Sequence, residues 1–449
     1  MKKIVGGFIC VLILSMTIFC IKSQEFFVKI ENLKKAKPVS ETVKTTQKES
    51  GKTVRIVLKA NNYTSIYHSE INLTSNNLKV YYGKNYENKK SCKKINIEKN
   101  DKLFKNSKVI KVESSHMINW KKNDEDGGTV SYEGMFFIYN TTSGLVVVNQ
   151  LDLEAYVASV ISSEIGEDSP EEALKAQAVC ARTFITDSNP EEYKEYKANG
   201  DDSTAYQVYN KTTTGEKCRK AAVETKNKIM TYKGKCITAY YFSTSCGYTT
   251  DYKIWGRKKQ KYLAGCSTLK KESGIDITKE DNFKRFIMST PKSYESECPF
   301  YRWNVYVTNE QVQNSISSTA GINVGEISKI EVNSRGCGGI ASGVTVYGEK
   351  GQIIMNNQNQ IRKALCSYYG EINLNDGSIR TKMEMLPSAF IYIENVYDSG
   401  KVCGFKIYGG GFGHGSGMSQ NGAREMAKKG MKYKKILKLF YNDIVIEDC

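Results

Sequence analysis

The chain has 449 residues, 25% of them charged and 40% apolar, which suits one large or two to three ordinary globular domains and excludes a disordered or collagen-like polymer. Lys and Arg number 65 against 48 Asp and Glu, a formal charge of +17, so nucleic acid, anionic lipid, wall polymer or acidic glycan would each suit as a partner on charge alone. The three histidines, His68, His116 and His414, are too few for a His-rich metal centre or for a mechanism that needs several imidazoles.

Lys2 and Lys3 precede an almost wholly apolar run over residues 4–21 that Lys22 closes, the pattern of a secretory signal or a single N-terminal anchor. No small-x-small cleavage site follows, which favours an uncleaved anchor in segment 1–24 over a cleaved signal, and bulky Phe19 before Cys20 argues against lipid attachment. Everything after it is then expected outside the cytoplasmic membrane. Two of the 13 cysteines, Cys10 and Cys20, lie in this run, and the odd number left over means at least one is unpaired. No C-x-x-C pair occurs; Cys180 reads as a buried small residue in an Ala-rich helix, and Cys246 with Cys266 is the expected disulfide.

Residues 25–52 are rich in Lys, Thr, Ser and Glu and read as a polar linker. From 53 to 449 the chain reads as one domain of two lobes. Apolar runs at 54–58, 78–82, 109–112, 135–139 and 145–148 are expected strands. The period then becomes helical: Tyr156, Val160 and Glu164 share one face of a first helix. Ser169, Pro170 and Glu172 have the spacing of a capping box opening a second helix to about Ile185. The polar stretch 187–202 reads as an exposed insertion. A helix near 218–226, strands at 235–242, 327–332 and 344–347, a polar span over 269–299 and a closing pair of helices after Gly417 follow. Without clean β-α alternation, the expected class is α+β: a mostly β N-terminal part, central helices and a mixed second lobe, with a groove between.

Three stretches carry candidate chemistry. Glu164 continues an apolar helix face at the point where that helix stops, a setting that favours the protonated form a general acid needs. An ion pair with Arg182 or a solvated glutamate at the helix end is the plainer reading. The stretch YFSTSCGYTTDYKIW, 241–255, sets hydroxyls among aromatic rings, which suits carbohydrate recognition as well as an ordinary Ser/Thr turn. The stretch YGGGFGHGSGMSQNGAREMAKKG, 408–430, allows positive φ and close backbone approach before a helix capped by Ser419 or Asn421. Its glycines do not fit G-x-G-x-x-G, and there is neither a phosphate-binding loop nor a G-x-S-x-G elbow, so nucleotide binding and a serine triad are not expected.

Taken together, LDLEAYVASVISSEIGEDSPEEALKAQAVCARTF, YQVY at 206–209, YFSTSCGYT, YLAG at 262–265 and GGGFGHGSGMSQNGAREMAKKGMKYKKIL resemble, in order, the blocks of the stage II sporulation protein D family, whose domain amidase-enhancer proteins share. The resemblance implies a lytic transglycosylase that cleaves peptide-stripped glycan between N-acetylmuramic acid and N-acetylglucosamine during forespore engulfment. It implies partners too: peptidoglycan strands, a cell-wall amidase and other engulfment membrane proteins, with no nucleic acid and no cofactor. The family's catalytic acid falls on Glu164, and its ART arginine on Arg182. Ser243, Ser245, Thr249, His414, Ser419 and Gln420 are implied to border the glycan groove. Closely spaced His and Cys residues that hold zinc in some clostridial members are missing before YQVY, Cys246 stands where a glycine is usual, and 269–302 is expanded. A non-catalytic glycan-binding enhancer of an amidase is the alternative.

Overall fold

Alternating apolar residues in the first part of the domain build a nine-stranded sheet, seen in a computed structural model that describes residues 51–449 apart from 123–127, 211, 257, 259 and 273. The expected signal or anchor and almost all of the polar linker lie outside the described residues. The described residues fall in the unit Ser50–Cys449, and among them no helix is long and apolar enough to cross a membrane.

The strands are β1 (Thr53–Leu58), β2 (Glu70–Tyr82), β3 (Asn88–Glu98), β4 (Val109–Ser114), β5 (Ile118–Lys121), β6 (Thr129–Tyr132), β7 (Met135–Asn140), β8 (Leu145–Asp152) and β9 (Gly200–Asp201). Their order is β6-β5-β2-β4-β7-β8-β1-β9, with β3 paired to β2. All pairs are antiparallel except β1 with β9. The run Leu145–Asp152 has apolar residues in succession because it is covered on both faces: Val147 faces the main core with Trp120 and Phe136, whereas Val146 and Val148 pack with Tyr193 and Tyr196. Those two tyrosines correct the expectation of an exposed insertion at 187–202: its end supplies edge strand β9, and Asp201 and Asp202 are buried.

β8 runs directly into helix α1 (Leu153–Glu164), because the Asp152 side chain accepts from the amides of Glu154 at 2.8 Å and Ala155 at 3.1 Å. Tyr156, Val157, Val160 and Ile161 of α1 are buried against the sheet and against α2 (Glu171–Thr186) and α3 (Glu216–Glu224). The expected capping box of α2 does not form. Ser169 instead donates to the Ile165 carbonyl at 2.9 Å, and Glu172 accepts the Tyr433 amide at 2.8 Å, so both side chains tie α2 to its neighbours.

A second apolar cluster gathers Trp303, Val305, Phe405 and Ile407 of a five-stranded sheet with the helices Asn309–Ala320 and Gln358–Ala364. The expected strand 235–242 is two short ones, Lys235–Cys236 and Tyr241–Phe242, in different sheets. Cys246 and Cys266 are both free thiols, as are all cysteines among the described residues, which corrects the expected disulfide. Their sulfurs have other partners: the Tyr248 carbonyl at 3.7 Å for Cys246, and the Thr249 hydroxyl at 3.4 Å for Cys266. The α+β class stands.

Candidate active site around Glu164

Glu164 is the last residue of α1 and is half-buried. Its Oε1 accepts the Val208 amide at 2.8 Å and the Tyr241 hydroxyl at 3.1 Å. Val208 comes from YQVY, whose Gln207 in turn accepts from the Tyr156 hydroxyl at 3.1 Å. Burial, then the charge of Glu164, hold the Tyr241 phenol far above its ordinary range, so it is a donor at any working pH. Three of the neighbouring acids are used elsewhere: Glu167 accepts the Lys217 amide at 3.0 Å, Glu171 pairs with Lys175 at 2.7 Å, and Glu172 meets Tyr433; Asp168 is exposed.

Two segments frame this carboxyl. The short strand Tyr241–Phe242 lies parallel to Met418–Ser419, and Ser419 caps the helix Gln420–Lys428 by accepting the Gly422 amide at 3.2 Å. Asn421 donates to the Thr244 hydroxyl at 2.9 Å. Arg424, one turn on, donates from Nε to Ser169 at 2.8 Å and from Nη2 to the Ile165 carbonyl, clamping the turn that ends α1. Gly417 makes the parallel pairing possible: φ is 81°, and a Cβ would stand 1.9 Å from the Tyr240 carbonyl oxygen. Gly417→Ala is therefore expected to destabilise the protein by at least about 1–3 kcal/mol, measured by denaturant titration.

The implied groove residues divide. Ser243 and Gln420 are half-buried, directly after the paired strands Tyr241–Phe242 and Met418–Ser419. Ser245, Thr249 and Ser419 are essentially inaccessible and bonded internally, which corrects the expectation that they border an open groove. Thr249 donates or accepts at Cys266, whose amide it also binds at 2.8 Å, while Ser245 and Ser419 both meet Glu295. Arg182 is also corrected. It is fully buried, with Nε 2.9 Å from Glu154 and further bonds to the carbonyls of Ala222 and Lys228, both at 3.1 Å. Its carboxylate partner is Glu154 and not Glu164, and it joins α1, α2 and α3.

His414 sits against Trp255, Phe242 and Tyr240, at ring-centroid distances of 5.1, 5.6 and 6.0 Å, and its Nδ1 accepts the Ser416 amide at 3.1 Å. Burial lowers its pKa to about 4 from 6.5, against a smaller raising effect of its bond to the Tyr241 backbone. The ring is neutral in the fold, so it shapes an aromatic wall and carries no charge to a substrate. In the unfolded chain it protonates first, so its stabilising effect is lost as pH falls from 6.5 to about 4 and changes no further below that. Stability measured for wild type minus His414→Asn should fall across that window, by up to roughly 3 kcal/mol.

Sequence reasoning missed four contributors: Val208, Tyr241, Arg424 and Glu295. The first three lie inside the recognised blocks but gave no sign of their role, because an amide, a phenol and a helix-surface guanidinium become site groups only through contacts distant in sequence.

The family pattern described as stage II sporulation protein matches residues 141–232, a span that holds Glu164, Arg182 and Val208. An uncharacterized protein of Brachyspira hyodysenteriae is 31% identical over 332 residues, covering 72% of this chain and 75% of that protein. The stage II sporulation protein D of Bacillus subtilis is 26% identical, covering 67% of this chain and 76% of its own length. The amidase enhancer of Bacillus subtilis is 28% identical over 80% of this chain, which spans 49% of the enhancer's length. The chain belongs to the stage II sporulation protein D family.

A second pattern, described as a domain of unknown function, matches residues 250–371 and 366–417. The span that reads as expanded relative to the family, 269–302, therefore lies within a described pattern of its own. It holds the helix Glu280–Ile287 and delivers Glu295 to the hydroxyls of Ser245 and Ser419. Among the described residues no group of three or more His, Cys, Asp and Glu is arranged to hold a metal ion. The segment before YQVY, where some family members are read as binding zinc, here forms β9 and the buried pair Asp201 and Asp202. Asp201 accepts from Tyr193 at 2.8 Å and Asp202 faces Lys122 at 3.6 Å.

Proposed function

We propose that this member of the family is a lytic transglycosylase that cuts peptide-stripped peptidoglycan between N-acetylmuramic acid and N-acetylglucosamine. The observation that carries the reading is Glu164 itself: a half-buried carboxyl at a helix end, held on Oε1 by the Val208 amide and the Tyr241 hydroxyl. Hydrolysis of a glycosidic bond generally takes two carboxylates, one as acid and one to activate water or attack carbon. Transglycosylation can run on one. Glu164 would protonate the bridging oxygen, and the resulting carboxylate would take the proton of the muramyl C6 hydroxyl as that oxygen closes onto C1. The nucleophile belongs to the same sugar ring, so proximity replaces the bound water and the second base. The donors on Oε1 suit both halves, because they hold the carboxyl in one orientation and stabilise the charge it acquires after giving up its proton.

Removing stem peptides exposes a lactyl carboxylate on each muramyl unit, which suits a chain with a formal charge of +17. The apolar run at 4–21, read as an anchor, would hold the domain on the outer side of the membrane, beside the amidase that strips the strands. The test is to offer purified protein intact peptidoglycan and amidase-treated peptidoglycan. Soluble fragments are expected from the treated material alone, and equal release from both would remove the stripped-strand part of the reading. A second reading, a glycan-binding enhancer that stimulates an amidase without cutting, is favoured by the likeness to an amidase enhancer over 80% of the chain. It expects faster peptide release by the amidase and intact strands.

A further inference from the structure

Glu295 is fully buried, and its carboxyl meets three donors from two separate segments. Oε1 accepts the Ser245 amide at 2.8 Å and the Ser419 hydroxyl at 2.5 Å, while Oε2 accepts the Ser245 hydroxyl. Each hydroxyl, by donating to Glu295, keeps its oxygen for a backbone amide. Ser419 accepts Gly422 at the start of the helix Gln420–Lys428, and Ser245 accepts Gly247 at 3.3 Å in its own turn. Thr268 and Ser293 extend the network: the Thr268 hydroxyl oxygen lies 2.9 Å from that of Ser245, and the Ser293 hydroxyl oxygen 3.2 Å from that of Thr268.

The consequences reach Glu164 along both segments. Ser245 follows, by four residues, the Tyr241 that donates to Glu164, and Ser419 opens the helix whose Arg424 clamps Ile165 and Ser169. We propose that Glu295 is a positioning residue for the Glu164 site: its carboxylate ties the Ser245 turn to the Ser419 helix start and so fixes the two segments that orient Glu164. As far as catalysis is concerned, this rests on the reading of Glu164 proposed above.

The buried Arg302 guanidinium donates to the Cys246 carbonyl at 2.8 Å and stands over the Tyr301 ring. Four titratable groups around Glu295 are neutral at pH 7. They are the thiols of Cys246 and Cys266 from the segments packed on it, and Cys298 and Tyr301 from its own, with burial raising these to about 11, 12, 12 and 12. The helix Gln420–Lys428 presents Ser419 and Gly422 to it. Burial pushes the Glu295 carboxyl up to about 7, while the bonds from Ser245 and Ser419 oppose the rise. Below that pH it carries a proton and has to donate one bond, which reverses one of the two hydroxyls. The ionised form accepts all three donors and positions best.

The experiment compares wild type with Glu295→Gln, whose amide resembles the protonated acid in having donors of its own. Cleavage rates are measured from pH 5 to 9, together with hydrogen-exchange protection of the Ser245 and Gly422 amides. The wild-type to variant rate ratio should rise through about pH 7 to about tenfold at the alkaline end, with kcat changing and KM holding. The contribution of Glu164 cancels in that ratio. Protection at the two amides should fall about tenfold in the variant at pH 8, with sheet amides such as Val147 unchanged. A ratio that stays flat with pH, or a folded variant whose two amides are as protected as in wild type, overturns the proposal. If wild type cuts nothing, the transglycosylase reading fails and the exchange data still decide the role of Glu295. If the variant does not fold, wild type alone decides: protection at Ser245 and Gly422 relative to Val147 should rise through about pH 7, and a constant ratio would overturn the assignment.

Discussion

Glu164→Gln should lower glycan cleavage by at least about a hundredfold, the lower end of what a positioned acid-base group contributes, and leave the protein folded. The substitution keeps the shape of the side chain and an oxygen that can accept from Val208 and Tyr241. What it removes is the proton cycle: an amide cannot give a proton to the bridging oxygen or take one from the C6 hydroxyl. Thermal midpoint and glycan co-sedimentation should match wild type, which separates loss of chemistry from loss of binding. A folded variant that still cuts at near wild-type rate would take catalysis away from Glu164 and strengthen the enhancer reading.

Arg182→Ala should act in the opposite way, on the fold and not on the reaction. The guanidinium is fully buried against Glu154, whose side chain is 15% exposed, and it also serves the carbonyls of Ala222 and Lys228. Truncation leaves a largely buried carboxylate without its partner and a cavity among α1, α2 and α3, at a cost of about 3–5 kcal/mol in unfolding free energy. Whatever fraction remains folded should bind glycan with unchanged affinity. A stable Arg182→Ala protein with weakened glycan binding would restore the arginine to the groove.

Much of the N-terminal part of the domain was legible because its elements are patterned plainly: β7, β8 and the helices α1 to α3 all coincide with apolar runs or helical periods. The edge strand β3 was not, since its sequence NKKSCKKINIE keeps charged side chains on an outer strand and loses the alternation that marks a half-buried one. The helix Asn309–Ala320 carries a working capping box from Thr308 to Gln311, but a weakly apolar body hid it. At the candidate site, the end of an apolar face marked Glu164 only weakly, and it was the resemblance of its block to the family that singled it out. The hydroxyls were misjudged because a Ser or Thr in a turn has the same sequence signature whether it faces a ligand or a buried carboxyl. Only the fold brings Glu295, 50 residues on, beneath Ser245.

If one carboxyl suffices because the sugar supplies its own nucleophile, the chemical identity of the newly formed ends shows it most directly. Peptide-free glycan strands are incubated with wild-type protein and with Glu164→Gln, and the fragments are weighed by mass spectrometry. Wild type is expected to yield fragments ending in 1,6-anhydromuramic acid, one water lighter than hydrolysed ends, and the variant almost none. Fragments with ordinary reducing muramic acid ends would mean that a water was delivered, and with it a second base; strands left intact by a folded wild type that nonetheless accelerates an amidase would contradict the enzymatic account altogether.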